Sequence, residues 1–346
     1  METVIMYLLF AVGILFIVKG GDWFVDGAAW VAEVTGIPKF IVGATIVSVA
    51  TTLPEIIVSS MAAVEGREIL ISGVQNATTL AQEKVGMAIG NGVGSVICNT
   101  AMIMAFSLVF MPTEINRKKF VPKAVLLGTA VGALLALTYK GSLSSRASIV
   151  LIAIFVAYII ENIKSAKNDL ADSFDDEKPT ADKKSVAKNI LYIIVGAFCI
   201  VVGSRFLVNY GGEIARSWGV SESIIGVTMV AIGTSLPELV TAVTAVIKKQ
   251  PSMSVGNVIG ANVIDVALIL PICSFIYGGI LPVSLQNIYL DFPVCILVSV
   301  IALVPTIIAK KFHRWQGIVM FVVYAAYLVV VSTKMDWYLS LFNLTA

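Results

Sequence analysis

"GIPKFIVGATIVSVATTLPE" (residues 36–55) is repeated, with changes, as "GVSESIIGVTMVAIGTSLPE" (residues 219–238). The two stretches are offset by 183 residues throughout, and each ends in a proline followed by a glutamate. A second matched pair, "GNGVGSVICN" (90–99) and "GNVIGANVID" (256–265), follows at an offset of 166. These two matches indicate that the chain consists of two copies of one unit.

The composition is that of an integral membrane protein. Of the 346 residues, 58% are hydrophobic and 13% are charged, whereas a soluble domain has roughly 25% charged residues. Continuous apolar runs, each long enough to cross roughly 30 Å of hydrocarbon as a helix, predict an all-α protein; a membrane barrel would need alternating runs. Ten transmembrane helices are predicted, at about 3–19, 40–64, 84–109, 119–139, 145–163, 189–208, 223–247, 252–278, 286–309 and 315–333.

The predicted helices divide into two sets of five. Because five is an odd number, the second copy must enter the membrane in the opposite sense, which predicts two inverted five-helix repeats, residues 1–165 and 189–346. The charged segment 166–188 between them is predicted to be a cytoplasmic linker that is partly or wholly disordered. The first copy has about 17 extra residues in the polar stretch 65–84, predicted as an outer loop or a short helix. Folds with inverted repeats bind substrate near the membrane midplane, on broken helices.

The distribution of basic residues predicts the orientation. With the N-terminus outside, most of the 24 Lys and Arg residues fall in cytoplasmic loops, as the positive-inside rule requires. Both termini are therefore predicted to lie outside a cell membrane. The N-terminal stretch "METVIMYLLF" lacks a basic region and is predicted to be a retained first helix rather than a signal peptide.

Several function classes are excluded or disfavoured by residue usage. His313 is the only histidine and lies in a basic loop, which excludes histidine-based zinc chemistry and a Ser-His-Asp triad inside the membrane. The four cysteines lie in apolar runs without a CxxC pair and are predicted to be reduced. A paired-aspartate protease needs two catalytic aspartates, but only Asp265 lies in a motif helix. We therefore expect no enzymatic activity, no resident cofactor and no nucleic-acid partner.

The repeated motifs carry oxygen-rich stripes on otherwise apolar helices. Residues at i±3, i±4 and i±7 share a helix face, which places seven hydroxyl residues on the faces of the two glutamates: Ser48, Thr51, Thr52 and Ser59 with Glu55, and Thr234, Ser235 and Thr241 with Glu238. The second motif adds Asn91, Ser95 and Asn99, matched by Asn257, Ala261 and Asp265. No Lys, Arg or His lies at the centres of these helices. Such hard oxygen ligands suit Ca²⁺ and Na⁺ and suit Zn²⁺ or Cu⁺ poorly.

The prolines add backbone oxygen to these stripes. Pro54 has no N–H, so the carbonyl of Ala50 loses its helical partner, and Pro237 has the same effect on Gly233. Free carbonyls at membrane depth are tolerated only where they face protein or a polar cavity. A bound cation would satisfy them.

Charge balance predicts which cations share the site. Glu55, Glu238 and Asp265 together carry three negative charges if ionised, and even a lone carboxylate at the bilayer centre costs at least about 2.5 kcal/mol. Three Na⁺ would balance them, whereas one Ca²⁺ leaves a single negative charge that a proton could offset. The balance favours a site that alternates between Ca²⁺ and monovalent cations.

The motifs "GATIVSVATTLPE", "GVTMVAIGTSLPE" and their "GN…G" partners resemble the two α-repeats of the cation/Ca²⁺ exchanger superfamily, with the prokaryotic Na⁺/Ca²⁺ exchangers nearest. The resemblance implies a Ca²⁺ site formed by Glu55 and Glu238, with carbonyls near Thr51 and Thr234. It also implies that the first and sixth helices slide as a gate. The flanking Na⁺ sites that it implies use Thr51, Thr52, Ser95, Thr234, Ser235 and Asp265, with Asn99 near the centre.

Two positions depart from the family pattern. Thr52 stands where serine is usual and keeps the hydroxyl, but Ala261 in "GAN" (260–262) replaces a serine and removes one. The second-half Na⁺ site and the Na⁺ stoichiometry are therefore open. The "GNxxE" motif typical of H⁺/Ca²⁺ exchangers is absent, which counts against proton coupling.

We expect a secondary active antiporter that exchanges Ca²⁺ for Na⁺ by alternating access in the lipid bilayer. A Ca²⁺ exchanger coupled to H⁺ or to another cation is the alternative. A Ca²⁺ channel is the rival from another class. The sequence implies no particular oligomer.

Overall fold

The computed structural model describes residues 2–73, 76–172, 182–218, 233–278 and 280–332. Helices make up most of these residues. In chain order they are α1 (Glu2–Thr35), α2 (Lys39–Thr51), α3 (Leu53–Ile71), α4 (Ala77–Phe110), α5 (Arg117–Thr138), α6 (Ser145–Asp172), α7 (Lys183–Ser217), α8 (Leu236–Ile247), α9 (Pro251–Tyr277), α10 (Asn287–Ala309) and α11 (Arg314–Ser332). Two three-residue strands outside the helices, β1 (Ser142–Ser144) and β2 (Ile280–Pro282), pair antiparallel.

The helices are those of a multi-pass membrane protein. Within the described residues, eight helices are long and apolar enough to cross a membrane, and α2 together with α3, bent by 44°, makes a ninth. Of the predicted span at 223–247, the structure describes the C-terminal part, which contains α8. Residues 219–232, the first 14 residues of the repeated stretch 219–238, lie outside the described residues.

The first helix of each half is much longer than predicted. Helix α1 has 34 residues and α7 has 35, or about 50 Å at 1.5 Å per residue, whereas the apolar runs at 3–19 and 189–208 are about half as long. The two helices pack antiparallel along glycines at seven-residue spacing. A Cβ atom at Gly20 would lie 2.7 Å from Cys199 Cβ, and one at Gly203 would lie 2.8 Å from the Gly13 carbonyl oxygen. Only glycine permits this approach.

Two acidic residues inside α1 pair with Lys248, which lies at the end of α8. Lys248 Nζ lies 2.6 Å from Asp26 Oδ1 and 3.4 Å from Asp22 Oδ1. These acids end the apolar run in the sequence, but they do not end the helix.

The extra residues of the first half lengthen two helices. The prediction of an outer loop or short helix at 65–84 was wrong for most of the stretch, because α3 continues to Ile71 and α4 already begins at Ala77. Good helix formers fill both extensions, and Lys84 Nζ pairs with Glu65 Oε2 at 3.1 Å.

The predicted linker is also helical at both ends. Helix α6 extends to Asp172 and α7 begins at Lys183, so the described parts of 166–188 are largely helical, while residues 173–181 lie outside the described residues. Asp182 caps α7 by accepting a hydrogen bond from the Ser185 N–H at 3.1 Å. Hydrogen bonds from the Ser185 side chain and backbone lower the pKa of the Asp182 carboxyl below its ordinary value.

Helices α4 and α9 are the most deeply buried spans and form the centre of the protein. Helix α2 crosses α9 in direct backbone contact. A Cβ atom at Gly43 would overlap the Met253 carbonyl oxygen, and one at Gly256 would overlap the Phe40 carbonyl oxygen. These glycines therefore bring a helix from each half of the sequence together at the level of the repeated motifs.

Candidate cation site

The first "LPE" motif lies where one helix ends and another begins. Helix α2 ends at Thr51 and α3 starts at Leu53, with a bend of 44° between them, so the predicted break is confirmed. Thr52 joins the two helices: its N–H donates to the Ser48 carbonyl at 3.0 Å, and its own carbonyl accepts from the Ile56 N–H at 3.1 Å. Pro54 therefore lies in the first turn of α3, where a missing N–H costs little.

Three buried carboxylates mark the site. Glu55, Glu238 and Asp265 are fully buried and interact electrostatically with one another. Both oxygens of Glu55, Oε2 of Glu238 and Oδ1 of Asp265 have no hydrogen-bond partner. Buried carboxylates are normally paired or bind metals, because an unpaired buried charge is very costly. The unpaired oxygens make this group of acids the candidate site for a positively charged ligand.

Thr52 connects the two halves of the sequence. Its Oγ1 lies 3.2 Å from Glu238 Oε1 and 2.7 Å from the Ser48 carbonyl oxygen. Helical spacing assigned Thr52 to the face of Glu55, but the contact is with the glutamate of the other half. The matching residue, Ser235, is fully buried, and its hydroxyl lies beside the Cys98 thiol.

Asn257 makes a second bridge between the halves. Its Nδ2 donates to Thr241 Oγ1 at 3.0 Å, and its Oδ1 accepts from the Thr51 hydroxyl at 3.3 Å. The residue is buried. Asn257 thus contacts one hydroxyl from α2 and one from α8. The sequence alone did not distinguish this role from simple helix packing.

Asn91, its counterpart in the first half, makes the equivalent bridge. Its Nδ2 donates to Ser59 Oγ at 2.9 Å, and its Oδ1 accepts from the Thr234 hydroxyl at 3.3 Å. The predicted site omitted both asparagines. Their shared place in the two "GN" motifs, 166 residues apart, was the signal that could have included them.

Asn99 and Asp265 meet at the centre. Asn99 Nδ2 donates to Asp265 Oδ2 at 3.3 Å. Both side chains are buried, and Asn99 Oδ1 and Asp265 Oδ1 have no hydrogen-bond partner. Each residue begins a π-helical turn, Asn99–Met104 and Asp265–Ile269. Such turns occur frequently at functional sites, and here they occupy equivalent positions of the two repeats.

Ser95 and Thr234 lie in the wall of a cleft of about 350 Å³ between α3, α4 and α11. Asn91 and Ser59 line the same cleft, which therefore reaches the amide–hydroxyl bridge of the site. Ala261, at the position that matches Ser95, is fully buried and supplies no oxygen. The two halves therefore differ in ligand content.

The structure thus brings all nine predicted site residues into one region: Thr51, Thr52, Glu55, Ser95, Asn99, Thr234, Ser235, Glu238 and Asp265. Among the described residues, no three His, Cys, Asp or Glu side chains form a group that would hold a metal ion by themselves. A cation would have to bind a mixture of carboxylate, hydroxyl, amide and carbonyl oxygens. That mixture fits Ca²⁺, which takes six to eight oxygen ligands in flexible geometry.

The fold and this region define a multi-pass membrane protein with a buried, oxygen-lined group of acids at its centre. Residues 5–164 and 188–333 match the family described as "Sodium/calcium exchanger protein". The chain belongs to that family.

Relatives and solved structures agree with this assignment. Sodium/calcium exchanger MaX1 of Methanosarcina acetivorans is 28% identical over 367 aligned positions, covering 94% of this chain and 97% of that protein. Inner membrane protein YrbG of Escherichia coli is 29% identical, covering 85% and 86% respectively. The structure of the sodium-calcium exchanger NCX_Mj soaked with Na⁺ and Sr²⁺ aligns with a TM-score of 0.76 at 26% identity, over 94% of this chain and 99% of that one.

Proposed function

We propose that this protein is a secondary active antiporter that exchanges Ca²⁺ for Na⁺ across a cell membrane by alternating access. One observation carries the proposal: Glu55 and Glu238, one from each half, are fully buried with unpartnered carboxylate oxygens among hydroxyl and amide groups. Membership of the sodium/calcium exchanger family and the likeness to MaX1 and NCX_Mj support the two ions.

Each ion has its own ligands in this proposal. Glu55 and Glu238 bind Ca²⁺ together with backbone carbonyls near Thr51 and Thr234. The Na⁺ ions use the hydroxyls and the remaining acid, with Asn99 at the centre: Thr51, Thr52, Ser95, Thr234, Ser235 and Asp265. Both ions are transported substrates, so no resident cofactor is required.

Electrostatics couples the two ions. The empty site contains three carboxylates in a low-dielectric environment, which is strongly unfavourable. Bound Ca²⁺ or bound Na⁺ offsets this charge. Once one ion has neutralised the carboxylates, the electrostatic attraction for the other ion is reduced, so the two ions compete. If the site changes conformation only when a cation neutralises it, the protein exchanges one ion for another and does not leak.

The architecture that we propose is ten transmembrane helices in two inverted five-helix repeats, 1–165 and 189–346, joined by a cytoplasmic linker at 166–188, with both termini outside. The antiparallel packing of α1 and α7 supports the inversion, because these are equivalent helices of the two halves. Gly20 and Gly203, which correspond at the offset of 183, both lie in their contact. The sliding of this pair as a gate is part of the same proposal.

The test is ⁴⁵Ca²⁺ uptake into vesicles loaded with Na⁺, with K⁺, or with a buffer of low pH. We expect uptake only from the Na⁺-loaded vesicles. Equal uptake under all three conditions would refute Na⁺ coupling and favour a channel, and uptake driven only by low internal pH would favour a proton-coupled exchanger.

A further inference from the structure

A fourth buried carboxylate, Asp291, lies in α10 and belongs to none of the repeated motifs. It is 3% exposed and ends the π-helical turn Asn287–Asp291. Its Oδ2 accepts from Asn287 Nδ2 at 2.7 Å, and its Oδ1 accepts from the Tyr327 hydroxyl at 3.1 Å and from Gln286 Nε2 at 3.5 Å. An ionisable residue within a membrane span is by default functional, but Asp291 differs from the site acids because both of its oxygens are already satisfied.

The hydrogen bond to Tyr327 connects Asp291 to the cleft. Tyr327 and Tyr324, on α11, line the same cleft as Ser95 and Thr234. The two tyrosine rings stack with centroids 6.3 Å apart and an interplanar angle of 27°. Tyr324 is buried, and its hydroxyl has no partner. Asp291 therefore holds in place one of two stacked rings that form a wall of the cleft.

We propose that Asp291 is a positioning residue for ion entry: by accepting the Tyr327 hydroxyl it fixes the two tyrosines of α11 along the path to Ser95 and Thr234. This inference rests on the proposed exchange function. Asp291 acts through Tyr327 and touches no ion, so its loss changes access from the cleft and leaves the ion ligands intact.

The same pair of helices provides a matched control. Gln316 of α11 is fully buried, and its Nε2 donates to the carbonyls of Ile301 and Ala302 and to Thr306 Oγ1, at 2.8, 3.1 and 3.0 Å. This contact also joins α11 to α10, but Gln316 does not line the cleft. Breaking it perturbs the packing of the two helices without changing the tyrosine wall.

The experiment measures ⁴⁵Ca²⁺ exchange separately from each membrane face, using vesicles of opposite orientation. It compares wild type with four variants: Asp291→Asn, Tyr327→Phe, the double variant and Gln316→Leu. The face nearer the α3–α4 connection is identified by labelling Gln82→Cys, at an exposed position, with a membrane-impermeant thiol reagent. Tyr327→Phe removes the donor. Asp291→Asn replaces one of two acceptors by a donor, so the side chain no longer accepts from Asn287 and Tyr327 with separate oxygens.

We expect Tyr327→Phe to raise KM on the labelled face roughly tenfold, the change that about 1.4 kcal/mol produces, with KM on the other face and kcat unchanged. The double variant should equal Tyr327→Phe, because residues that act through one bond are not additive. Gln316→Leu should lower thermal stability and leave both KM values unchanged.

Equal KM values for Tyr327→Phe and wild type on both faces would overturn the inference, as would equal changes on both faces or additive effects in the double variant. If Asp291→Asn fails to fold, Tyr327→Phe alone decides the outcome. Absence of exchange in the wild type would instead refute the proposed function, so the two failures are distinguishable.

Discussion

Removing the Thr52 hydroxyl should weaken Na⁺ binding with little change in shape. Thr52→Val keeps the side-chain volume but eliminates the oxygen that lies 3.2 Å from Glu238 Oε1. A hydrogen bond to a charged group contributes about 1.5–3 kcal/mol, which corresponds to roughly a 10- to 150-fold change in a binding constant. In the proposed function this oxygen also binds Na⁺, and we take its contact with the ion to be of the same size. We therefore expect the Na⁺ concentration that half-saturates exchange to rise by at least about tenfold, whereas Thr52→Ser should remain near wild type.

The assay is ⁴⁵Ca²⁺ efflux from loaded proteoliposomes as external Na⁺ is titrated. Thr45→Val is the matched control: it removes a hydroxyl from the same helix, where Thr45 Oγ1 donates at 2.7 Å to the Ile41 carbonyl and contacts no site acid. A Na⁺ curve for Thr52→Val that coincides with wild type, or that shifts no more than the curve for Thr45→Val, would refute the role of this hydroxyl.

Three further predictions concern packing and ligand content. Gly256→Ala should lower the thermal stability of the purified protein by the equivalent of about 1–3 kcal/mol, because the new Cβ overlaps the Phe40 carbonyl oxygen. Gly90→Ala, where a Cβ meets nothing within 4 Å, should be tolerated. Equal melting temperatures for the two variants would contradict the packing of α2 against α9. Ala261→Ser should change the Na⁺ dependence of exchange more than the Ca²⁺ affinity, and an unchanged Na⁺ curve would show that the missing hydroxyl has no effect. Asn257→Ala should weaken Ca²⁺ exchange by roughly tenfold or more, since each unpaired buried partner costs about 1–3 kcal/mol; full activity would show that this bridge is not needed.

The candidate site was largely predictable because its signals are local and occur twice. The "LPE" and "GN" motifs predicted the buried acids and most of the hydroxyl and amide residues that the structure places around them, and Pro54 predicted the helix break. What spacing could not predict is which half each oxygen faces. Thr52 shares a face with Glu55 by helical count, yet it contacts Glu238, because the end of α2 packs against α8.

The helix lengths were less predictable, since hydropathy stops at charged residues while the helix need not. Asp22 and Asp26 end the first apolar run, but α1 continues because its later turns still bury apolar residues, Ala28 and Ala32 among them. Asp291 was also missed. It is a single acid in an apolar run without a repeated partner, and only the contact with Tyr327 relates it to the cleft.

The central claim is that Ca²⁺ binds between Glu55 and Glu238 and that Na⁺, bound at the flanking oxygens, competes with it. Calorimetric titration of purified protein with Ca²⁺, at increasing Na⁺ and with K⁺ as the ionic-strength control, tests it most directly. We expect Ca²⁺ binding that Na⁺ abolishes and K⁺ does not, and no binding in Glu55→Gln or Glu238→Gln. Ca²⁺ binding that persists in either variant, or that Na⁺ and K⁺ reduce equally, would contradict the claim.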